Sequence, residues 1–369
     1  MEQKITFYPI GNADTTLIEL SNDQKVLVDY ADMRCKDDPN DKRIDLPAEL
    51  NKVVKKDYDV VCFTHCDNDH ICGFSDFFYL QHATVYQSGE RKKIKELWVP
   101  ASILTETNLT GEARILRSEA RYRLKNKSGI LVFSRPKKLK EWCDQQEDIC
   151  YDDIRHLIVD AGQLVPGFTL AGSGIEFFVH SPFVSGTENV DRNCEAIVMQ
   201  ATFNDSCKTK VILGSDINHE VWSDIVKVTR HFKNDERLAW DIFHISHHSS
   251  YTSLGPEKGV NETVPNDNVK WLFETMGNGR SRIVSPSWSI PTNDDDVQPP
   301  HRQAAAYYKR VANNKQGEFR VTMDHPTKNK PEPLTYIIDS YSCARLFIKA
   351  AAAISFPYEH KTSRAGDGK

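Results

Sequence analysis

The sequence predicts an α/β fold that begins with an antiparallel or mixed sheet. Two observations support this prediction. Short apolar segments bounded by turn residues, such as residues 4–10 and 15–20, are typical of β-strands. Segments of helical character at residues 46–56, 219–231 and 301–312 lie between further strands. The 369 residues suffice for two domains or for one large α/β domain with an insertion.

The composition excludes several classes of protein. Hydrophobic residues make up 39% of the chain, which allows a sizeable core. No run of about 18 uncharged apolar residues occurs, and the first residues lack the apolar core of a signal peptide, so we expect a soluble, cytoplasmic protein with no membrane partner. A net charge of -5 excludes a uniformly basic nucleic-acid-binding surface but not a local basic patch. The nine cysteines form no C-x-x-C pair and are predicted to be free thiols.

The first part of the chain is predicted to form three strands, a helix and a buried strand. A turn signal, Gly11-Asn12-Ala13-Asp14, separates the first two strands, and residues 25–29 form the third. A helix follows at residues 46–56. Residues 59–63 are uncharged and mostly β-branched or aromatic after the first, which indicates a buried strand. This strand runs directly into the segment that begins Thr64-His65.

Residues 88–165 are predicted to form a helical insertion within a domain that spans residues 1–340. Residues 341–369 are predicted to form a C-terminal helix and a disordered tail. The insertion contains basic clusters, for example at residues 91–93 and 125–127. Charge runs of this kind usually form a solvated helical face, and a patch that contacts nucleic acid is the alternative.

The strongest chemical signal directly follows the buried strand. Two imidazoles and two carboxylates stand within six residues, in the order His65, Asp67, Asp69 and His70. Imidazole nitrogen and carboxylate oxygen suit Zn²⁺, Mn²⁺ and Fe²⁺. We expect the first pair to bind one ion and the second pair to bind another, because the chain turns into a helix between them. The alternative is a polar surface loop whose histidines have no function.

Two later strands also end in potential metal ligands. Asp216 follows an apolar strand and could bridge two ions, or it could cap the helix that begins near His219. His247 and His248 follow the apolar strand at residues 240–245. We predict that His247 is a ligand and that His248 is either a substrate contact or a hydrogen-bond donor behind the ligands.

Two further histidines are weaker candidates. His244 lies within its strand and is expected to be a core residue. His301 stands before a late helix, and a ligand, a transition-state contact and a simple surface histidine are all compatible with that place. His180 and His325 are expected to be structural.

The first motif resembles that of the metallo-β-lactamase superfamily, His-x-His-x-Asp-His. Here the second histidine is replaced by Asp67, which gives His-x-Asp-x-Asp-His. This variant is similar to the branch that contains the hydrolase domain of the ComEC competence proteins. The resemblance implies the following metal ligands: His65, Asp67, Asp69, His70, Asp216 and His247.

Other segments resemble the same branch in the same order. Residues 7–14 are similar to its opening strand and Gly-x-Gly-Asp turn, residues 25–29 to the next strand with its aspartate, and residues 246–253 to its His-His-Gly-Ser segment. His301 falls where the branch has a late histidine. The resemblance covers about residues 4–340 and implies an αββα sandwich with the metal cleft at one edge of the two sheets.

The sequence departs from the family pattern at three places. Ser215 replaces the usual glycine before Asp216, and Ser249 replaces the glycine after the paired histidines. The family's third-motif histidine has no clear match, although Asn193 stands where the ComEC branch often has asparagine.

The resemblance implies a hydrolase with two divalent metal ions, zinc by default and manganese as the possible alternative. Two ions about 3.5–4 Å apart can generate a metal-bound hydroxide at neutral pH and clamp both oxygens of an in-line displacement. Asp69 would orient this hydroxide and accept its proton, while His248 or His301 would stabilise charge on the substrate. The predicted catalytic residues are therefore Asp69, His248 and His301.

Three functions are compatible with this site. The first is a phosphodiesterase or nuclease acting on nucleic acid, with DNA as the expected polymer by analogy with the ComEC branch. The second is a small-molecule hydrolase acting on a cyclic nucleotide, a lactone or a thioester, which a deep pocket would favour. The third is a non-catalytic interaction module. Protein partners are not specified by the sequence.

Overall fold

The computed structural model describes residues 2–134, 136–183, 195–204, 208–338 and 344–347. These residues form two large sheets and one short hairpin. The first sheet contains β1 (Gln3–Phe7), β2 (Thr16–Glu19), β3 (Lys25–Val28), β4 (Tyr58–Cys62), β5 (Phe78–Tyr79), β6 (Lys92–Pro100), β7 (Ile130–Ser134), β8 (Ile158–Asp160), β17 (Leu334–Ile338) and β18 (Arg345–Leu346). The second sheet contains β9 (Ile175–Ser181), β10 (Val198–Asn204), β11 (Lys208–Leu213), β12 (Trp240–His244), β13 (Gly277–Ser285) and β14 (Glu318–Val321). The hairpin consists of β15 (Pro326–Thr327) and β16 (Lys330–Pro331).

The helices lie between these strands. They are α1 (Leu46–Val53), α2 (Asn68–Ile71), α3 (Phe74–Phe77), α4 (Ala101–Thr105), α5 (Gly111–Lys125), α6 (Pro136–Cys143), α7 (Tyr151–Ile154), α8 (His219–His231), α9 (Asp267–Glu274) and α10 (Arg302–Asn314). Within the described residues, no helix combines the length and the apolar character needed to cross a bilayer.

Each sheet has an antiparallel part and a parallel part. In the first sheet, β18, β17, β1, β2 and β3 pair antiparallel, whereas β3, β4, β6, β7 and β8 pair parallel. In the second sheet, β9, β10 and β11 pair antiparallel, and β11 to β14 pair parallel. Parallel neighbours end at the same edge of a sheet. The segments that follow β3 and β4 therefore lie at one edge of the first sheet, and the segments that follow β11 and β12 lie at one edge of the second sheet. These segments carry the polar motifs.

Three hydrophobic layers hold the helices and sheets together. Alternate residues of a strand face opposite sides of its sheet. On β4, Val61 packs in a core with the helices α1, α3 and α5, whereas Val60 packs in a second core between the sheets. On β11, Val211 belongs to the core between the sheets, whereas Ile212 packs with Trp222 of α8 in a third core. The order helix, sheet, sheet, helix confirms the predicted αββα sandwich.

The segment at residues 88–165, predicted as a helical insertion, contains the helices α4 to α7 and also supplies three strands of the first sheet. These strands are β6, β7 and β8, and all five residues of β7 are buried. The segment is thus continuous with the sheet. Of the predicted C-terminal segment, the described residues are 344–347, which include β18. The rest of that segment and Asn193 lie outside the described residues, and the domain boundaries stay predictions.

Asn218 is the N-cap of α8. Its Oδ1 accepts hydrogen bonds from the backbone N–H groups of Glu220 and Val221, each at 3.0 Å. Asp216 is therefore not the cap, which resolves the alternative that the sequence left open. We expect Asn218→Ala to lower the free energy of unfolding by about 1 kcal/mol, because two N–H groups lose their partner. Urea denaturation measures this change, and Asn108→Ala at an exposed loop position is the control, for which no comparable loss is expected.

His180 gives the fold a pH-dependent stability. Burial lowers the pKa of His180 to about 4, although its hydrogen bond to the carbonyl oxygen of Arg237 (2.9 Å) acts in the opposite direction. In the unfolded chain the histidine pKa is about 6.5, so the unfolded state takes up a proton first as the pH falls. The stability is fully present above about pH 6.5 and is lost progressively down to about pH 4, by about 3 kcal/mol in total.

We expect His180→Gln to remove this part of the pH dependence, because glutamine keeps a donor and does not titrate. Urea denaturation at about pH 7 and about pH 4.5 tests it. The exposed His231→Gln is the matched control and should leave the difference between the two pH values unchanged. An equal pH dependence in the wild type and His180→Gln would contradict the prediction.

Candidate metal centre

Four buried side chains converge at the edge where the parallel strands end. They are Asp14, His70, Asp216 and His248, and each offers a ligand atom within 4.8 Å of the others. We call them the four-residue group. Asp14 follows β1, His70 lies on α2, Asp216 follows β11 and His248 follows β12. The group therefore joins both sheets, and each of its side chains is at most 4% exposed.

The two oxygens of Asp216 face different histidines. Its Oδ1 lies 3.4 Å from His70 Nε2, and its Oδ2 lies 3.4 Å from His248 Nε2. His70 Nε2 also lies 3.6 Å from Asp14 Oδ2. His248 Nε2 contacts Asp69 Oδ2 at 2.9 Å, which brings a fifth polar side chain to the border of the group. Asp69 is 29% exposed and marks the side that opens to solvent.

Fixed acceptors behind the group orient both imidazoles. His70 Nδ1 donates to Asp29 Oδ2 at 2.8 Å, and His248 Nδ1 donates to the carbonyl oxygen of Pro286 at 2.8 Å. Asp29 is itself held by the backbone N–H and the hydroxyl of Thr64, both at 2.7 Å. A neutral imidazole that donates from Nδ1 has its lone pair on Nε2. With Nδ1 held by these acceptors, both rings present Nε2 to the centre.

The carboxylates give this centre a strongly negative potential. Burial alone would lower the pKa of His70, but the charges of Asp216 and Asp29 raise it well above its usual value. The pKa of His248 is raised in the same way, against burial, by Asp216 and Asp69. Burial would raise the pKa of Asp69, but the hydrogen bond from His248 lowers it to about 2. Protons thus neutralise the site in the ion-free protein, and a divalent cation would displace them.

Several buried atoms of the site have no hydrogen-bond partner among the described residues. They are both carboxylate oxygens of Asp14 and the Nε2 atoms of His65 and His70. Unpaired buried polar atoms are costly, so a cluster of them calls for a missing partner. All of these atoms can act as acceptors toward a cation. The donor set of imidazole nitrogen and carboxylate oxygen therefore fits a divalent metal ion such as zinc or manganese.

The other residues of the first motif lie beside the group. The rings of His65 and His70 are 3.9 Å apart between centroids, and His65 Nε2 is 3.8 Å from Asp67 Oδ2. Ser215 donates to the Thr64 hydroxyl at 2.9 Å and also lies 3.4 Å from His65 Nδ1. His65 is buried and Asp67 is 35% exposed, so this pair could form a second ion site that faces solvent.

Of the adjacent histidines His247 and His248, His248 belongs to the four-residue group, and the ligand role of His247 stays a prediction. For His248 the sequence predicts a substrate contact or a donor behind the ligands. In the structure, His247 contributes its backbone N–H to Asp216 Oδ1 at 3.1 Å. Three consecutive residues, His247, His248 and Ser249, have positive φ values of 52°, 53° and 68°. This left-handed turn decides which imidazole points inward, and a strand-end pattern does not specify it.

His301 does not have a free ring nitrogen for a substrate. Its Nδ1 accepts from the backbone N–H of Tyr251 at 3.3 Å, and its Nε2 donates to the carbonyl oxygen of Val297 at 3.1 Å. These bonds tie two loops together. The His301 side chain thus has a structural role, and its catalytic role stays a prediction.

Asp14 and Asp29 were not identified as site residues from the sequence alone. Both were noted only within segments that resemble the ComEC branch. A signal for each was present, because Asp29 directly follows the apolar strand at residues 25–28 and Asp14 lies in the turn just before the strand that begins at Thr16. Aspartate at a place next to buried strands is rarely buried unless it is paired. His244, expected to be a core residue, is buried and lies 3.1 Å from Asp14 through its Nε2.

The sequence matches no protein-family model and no curated protein. Similar solved structures include the metallo-β-lactamase fold protein YhfI from Bacillus subtilis, with 11% identity over 87% of this chain and 97% of that chain and a TM-score of 0.40. A possible metal-dependent hydrolase from Veillonella parvula has 13% identity over 90% of this chain and 99% of that chain, with a TM-score of 0.38. A long-form RNase Z from yeast has 12% identity over 87% of this chain and 40% of that chain, with a TM-score of 0.38. Because these likenesses are distant, the fold assignment rests on the layers and strand order described above.

Proposed function

We propose that this protein is a metal-dependent hydrolase of the metallo-β-lactamase type that cleaves phosphodiesters, with nucleic acid as its substrate class. The observation that carries the proposal is the four-residue group at the joined edge of the two sheets. Its oriented imidazoles, its carboxylates and its unpaired acceptors form a site for a divalent cation. The resemblance of the first motif to the ComEC branch supports the choice of phosphodiesters.

His70, Asp216 and His248 would hold one ion, and His65 with Asp67 would hold a second. Asp216 stands between the two histidines of the group with one oxygen toward each, so it is suited to bind the ion that they would hold. Divalent ions bound here would polarise a phosphoryl oxygen and lower the pKa of a water molecule.

The negative potential of the ion-free site has a direct consequence for substrate binding. Asp67 and Asp69 are the partly exposed acidic groups at its border. A phosphodiester is an anion and would be repelled by them unless cations neutralise the site. We therefore expect substrate binding to require the metal. Asp69, with a pKa of about 2, is a carboxylate at neutral pH and can accept a hydrogen bond from the attacking water and orient it.

The basic clusters at residues 88–165 do not support the choice of nucleic acid as the substrate. Lys125 pairs with Asp148, Lys127 pairs with Asp153, and Arg91 donates to the carbonyl oxygen of Ser75. Cations that are already paired favour the solvated-face interpretation over a nucleic-acid patch. The choice of phosphodiesters as the substrate class therefore rests on the resemblance of the first motif.

The test uses the full chain, stripped of metal with EDTA and then supplied with MnCl₂ or ZnCl₂. The substrates are bis-p-nitrophenyl phosphate, plasmid DNA, single-stranded DNA and, as an ester without phosphorus, p-nitrophenyl acetate. We expect hydrolysis of the phosphodiesters only after metal is restored. Turnover of the acetate alone would instead favour a small-molecule hydrolase, and binding of metal without any turnover would favour an interaction module.

A further inference from the structure

Asp14 is a buried acidic residue that lies outside the His-x-Asp-x-Asp-His motif, in the segment that resembles the Gly-x-Gly-Asp turn. It ends the turn between β1 and β2 and is 3% exposed, and neither carboxylate oxygen accepts a hydrogen bond among the described residues. We propose that Asp14 is an additional metal ligand and that His244 is a positioning residue that orients its carboxylate. The inference rests on the proposed metal centre and extends it to the opening turn of the chain.

The carboxylate of Asp14 is buried. A carboxylate removed from water without a partner is strongly unfavourable, and proteins avoid it unless a cation or donors compensate. The turn is also held in place rather than free to expose the side chain. The backbone N–H of Asp14 donates to the carbonyl oxygen of Asp69 at 3.0 Å, which ties the turn to the first-motif loop. The carboxylate is thus kept inside by the same segment that carries the predicted ligands.

The inner oxygen of Asp14 faces His70. Oδ2 lies 3.6 Å from His70 Nε2, while His70 Nδ1 is occupied by Asp29. Neither Asp14 Oδ2 nor His70 Nε2 has a hydrogen-bond partner among the described residues. Asp216 Oδ1 lies 3.4 Å from the same nitrogen, and ligand atoms of all four residues lie within 4.8 Å of one another. Asp14 is therefore close enough to the histidines and to Asp216 to share a cation with them.

The outer oxygen of Asp14 faces His244. Oδ1 lies 3.1 Å from His244 Nε2, a close contact in which the N–H is not aligned well enough for a hydrogen bond. The His244 ring stacks on Phe7 with centroids 5.1 Å apart and planes 8° apart, so its orientation is fixed. Phe7 lies on β1 and His244 on β12, so the stack joins the two sheets beside the turn. One carboxylate oxygen is thereby kept toward His244 and the other toward the centre.

Residues that contact a metal ligand on the side away from the ion commonly influence how tightly the site binds metal. Their loss typically weakens metal binding 10–100-fold. The test is isothermal titration of EDTA-stripped, full-length protein with MnCl₂ and with ZnCl₂. His244→Phe keeps the stack on Phe7 but removes the Nε2 atom that contacts Asp14 Oδ1, and we expect it to weaken binding about 10–100-fold. Asp14→Asn, which is nearly isosteric, should weaken binding at least as much.

Two further variants distinguish a positioning role of His244 from a general effect of the substitution on the fold. His244→Gln places an amide donor near the position of Nε2 and should restore most of the affinity. In the double variant Asp14→Asn/His244→Phe, binding should be no weaker than in Asp14→Asn alone, because His244 acts through Asp14. His180→Phe, which also alters a buried histidine of the second sheet, is the control and should bind metal as the wild type does.

The outcomes distinguish this inference from the proposed function. If the wild type binds neither ion, the metal centre itself is wrong. If the wild type binds an ion and Asp14→Asn binds it equally well, the inference alone is overturned. The role of His244 is overturned if His180→Phe weakens binding as much as His244→Phe. Should His244→Phe fail to fold, Asp14→Asn and His244→Gln still decide the question.

Discussion

Replacing Asp216 with asparagine should lower kcat/KM for phosphodiester hydrolysis by about 10³-fold. Asp216 is the carboxylate that faces both His70 Nε2 and His248 Nε2, and its pKa is well below the usual value because those imidazoles outweigh the effect of burial. Asparagine has the same shape but no charge. Metal ions contribute several kcal/mol to such reactions, and each 1.36 kcal/mol corresponds to a tenfold change in rate.

Steady-state kinetics with bis-p-nitrophenyl phosphate at saturating MnCl₂ measures the effect, and metal analysis of the same sample measures the bound ion. Asp224→Asn, a change of the same kind at a partly exposed carboxylate on α8 that pairs with Lys227, is the control and should retain the wild-type rate. Full activity and full metal content in Asp216→Asn would exclude a metal centre at this position. Because asparagine also accepts the N–H of His247, we expect the variant to remain folded.

Arg123→Ala should lower the free energy of unfolding by about 3–5 kcal/mol, because it leaves a buried carboxylate without its partner. Arg123 is 1% exposed, and its Nε donates to Glu119 Oε1 at 2.7 Å. Its Nη1 donates to the carbonyl oxygens of Ile94 and Gly129. Glu119 also accepts two hydrogen bonds from His82, which do not replace the lost cation.

Urea denaturation is the measurement. Lys125→Ala on the same helix breaks the exposed pair with Asp148 and should cost no more than about 1 kcal/mol. The double variant Glu119→Leu/Arg123→Leu should recover much of the loss, since apolar residues can replace a buried ion pair. A loss in Arg123→Ala as small as that in Lys125→Ala would show that this pair contributes little to the stability of the fold.

The sequence by itself determined that the fold is of the α/β class and that several strands end in potential metal ligands. Residues 59–63, 211–213 and 240–245 are apolar segments that lead into histidines and aspartates, and each such pattern is local. A strand needs only its own alternation and apolar character to be recognised. The resemblance of the first motif then supplied the αββα order, which the three hydrophobic layers confirm.

The tertiary structure decided which of these side chains meet. Asp14 and His248 are 234 positions apart, and only the pairing of strands in two sheets places both beside His70. The choice of His248 over His247 depends on three left-handed residues after β12, and a strand pattern does not encode that turn. The strands β6, β7 and β8 arise where a helical segment was expected, because their stability comes from parallel neighbours distant in the chain. Strand pairing between distant segments and the direction of a side chain depend on the packing of the whole molecule. Sequence periodicity therefore located the segments that carry the candidate ligands, but it did not predict which of their side chains point to the centre.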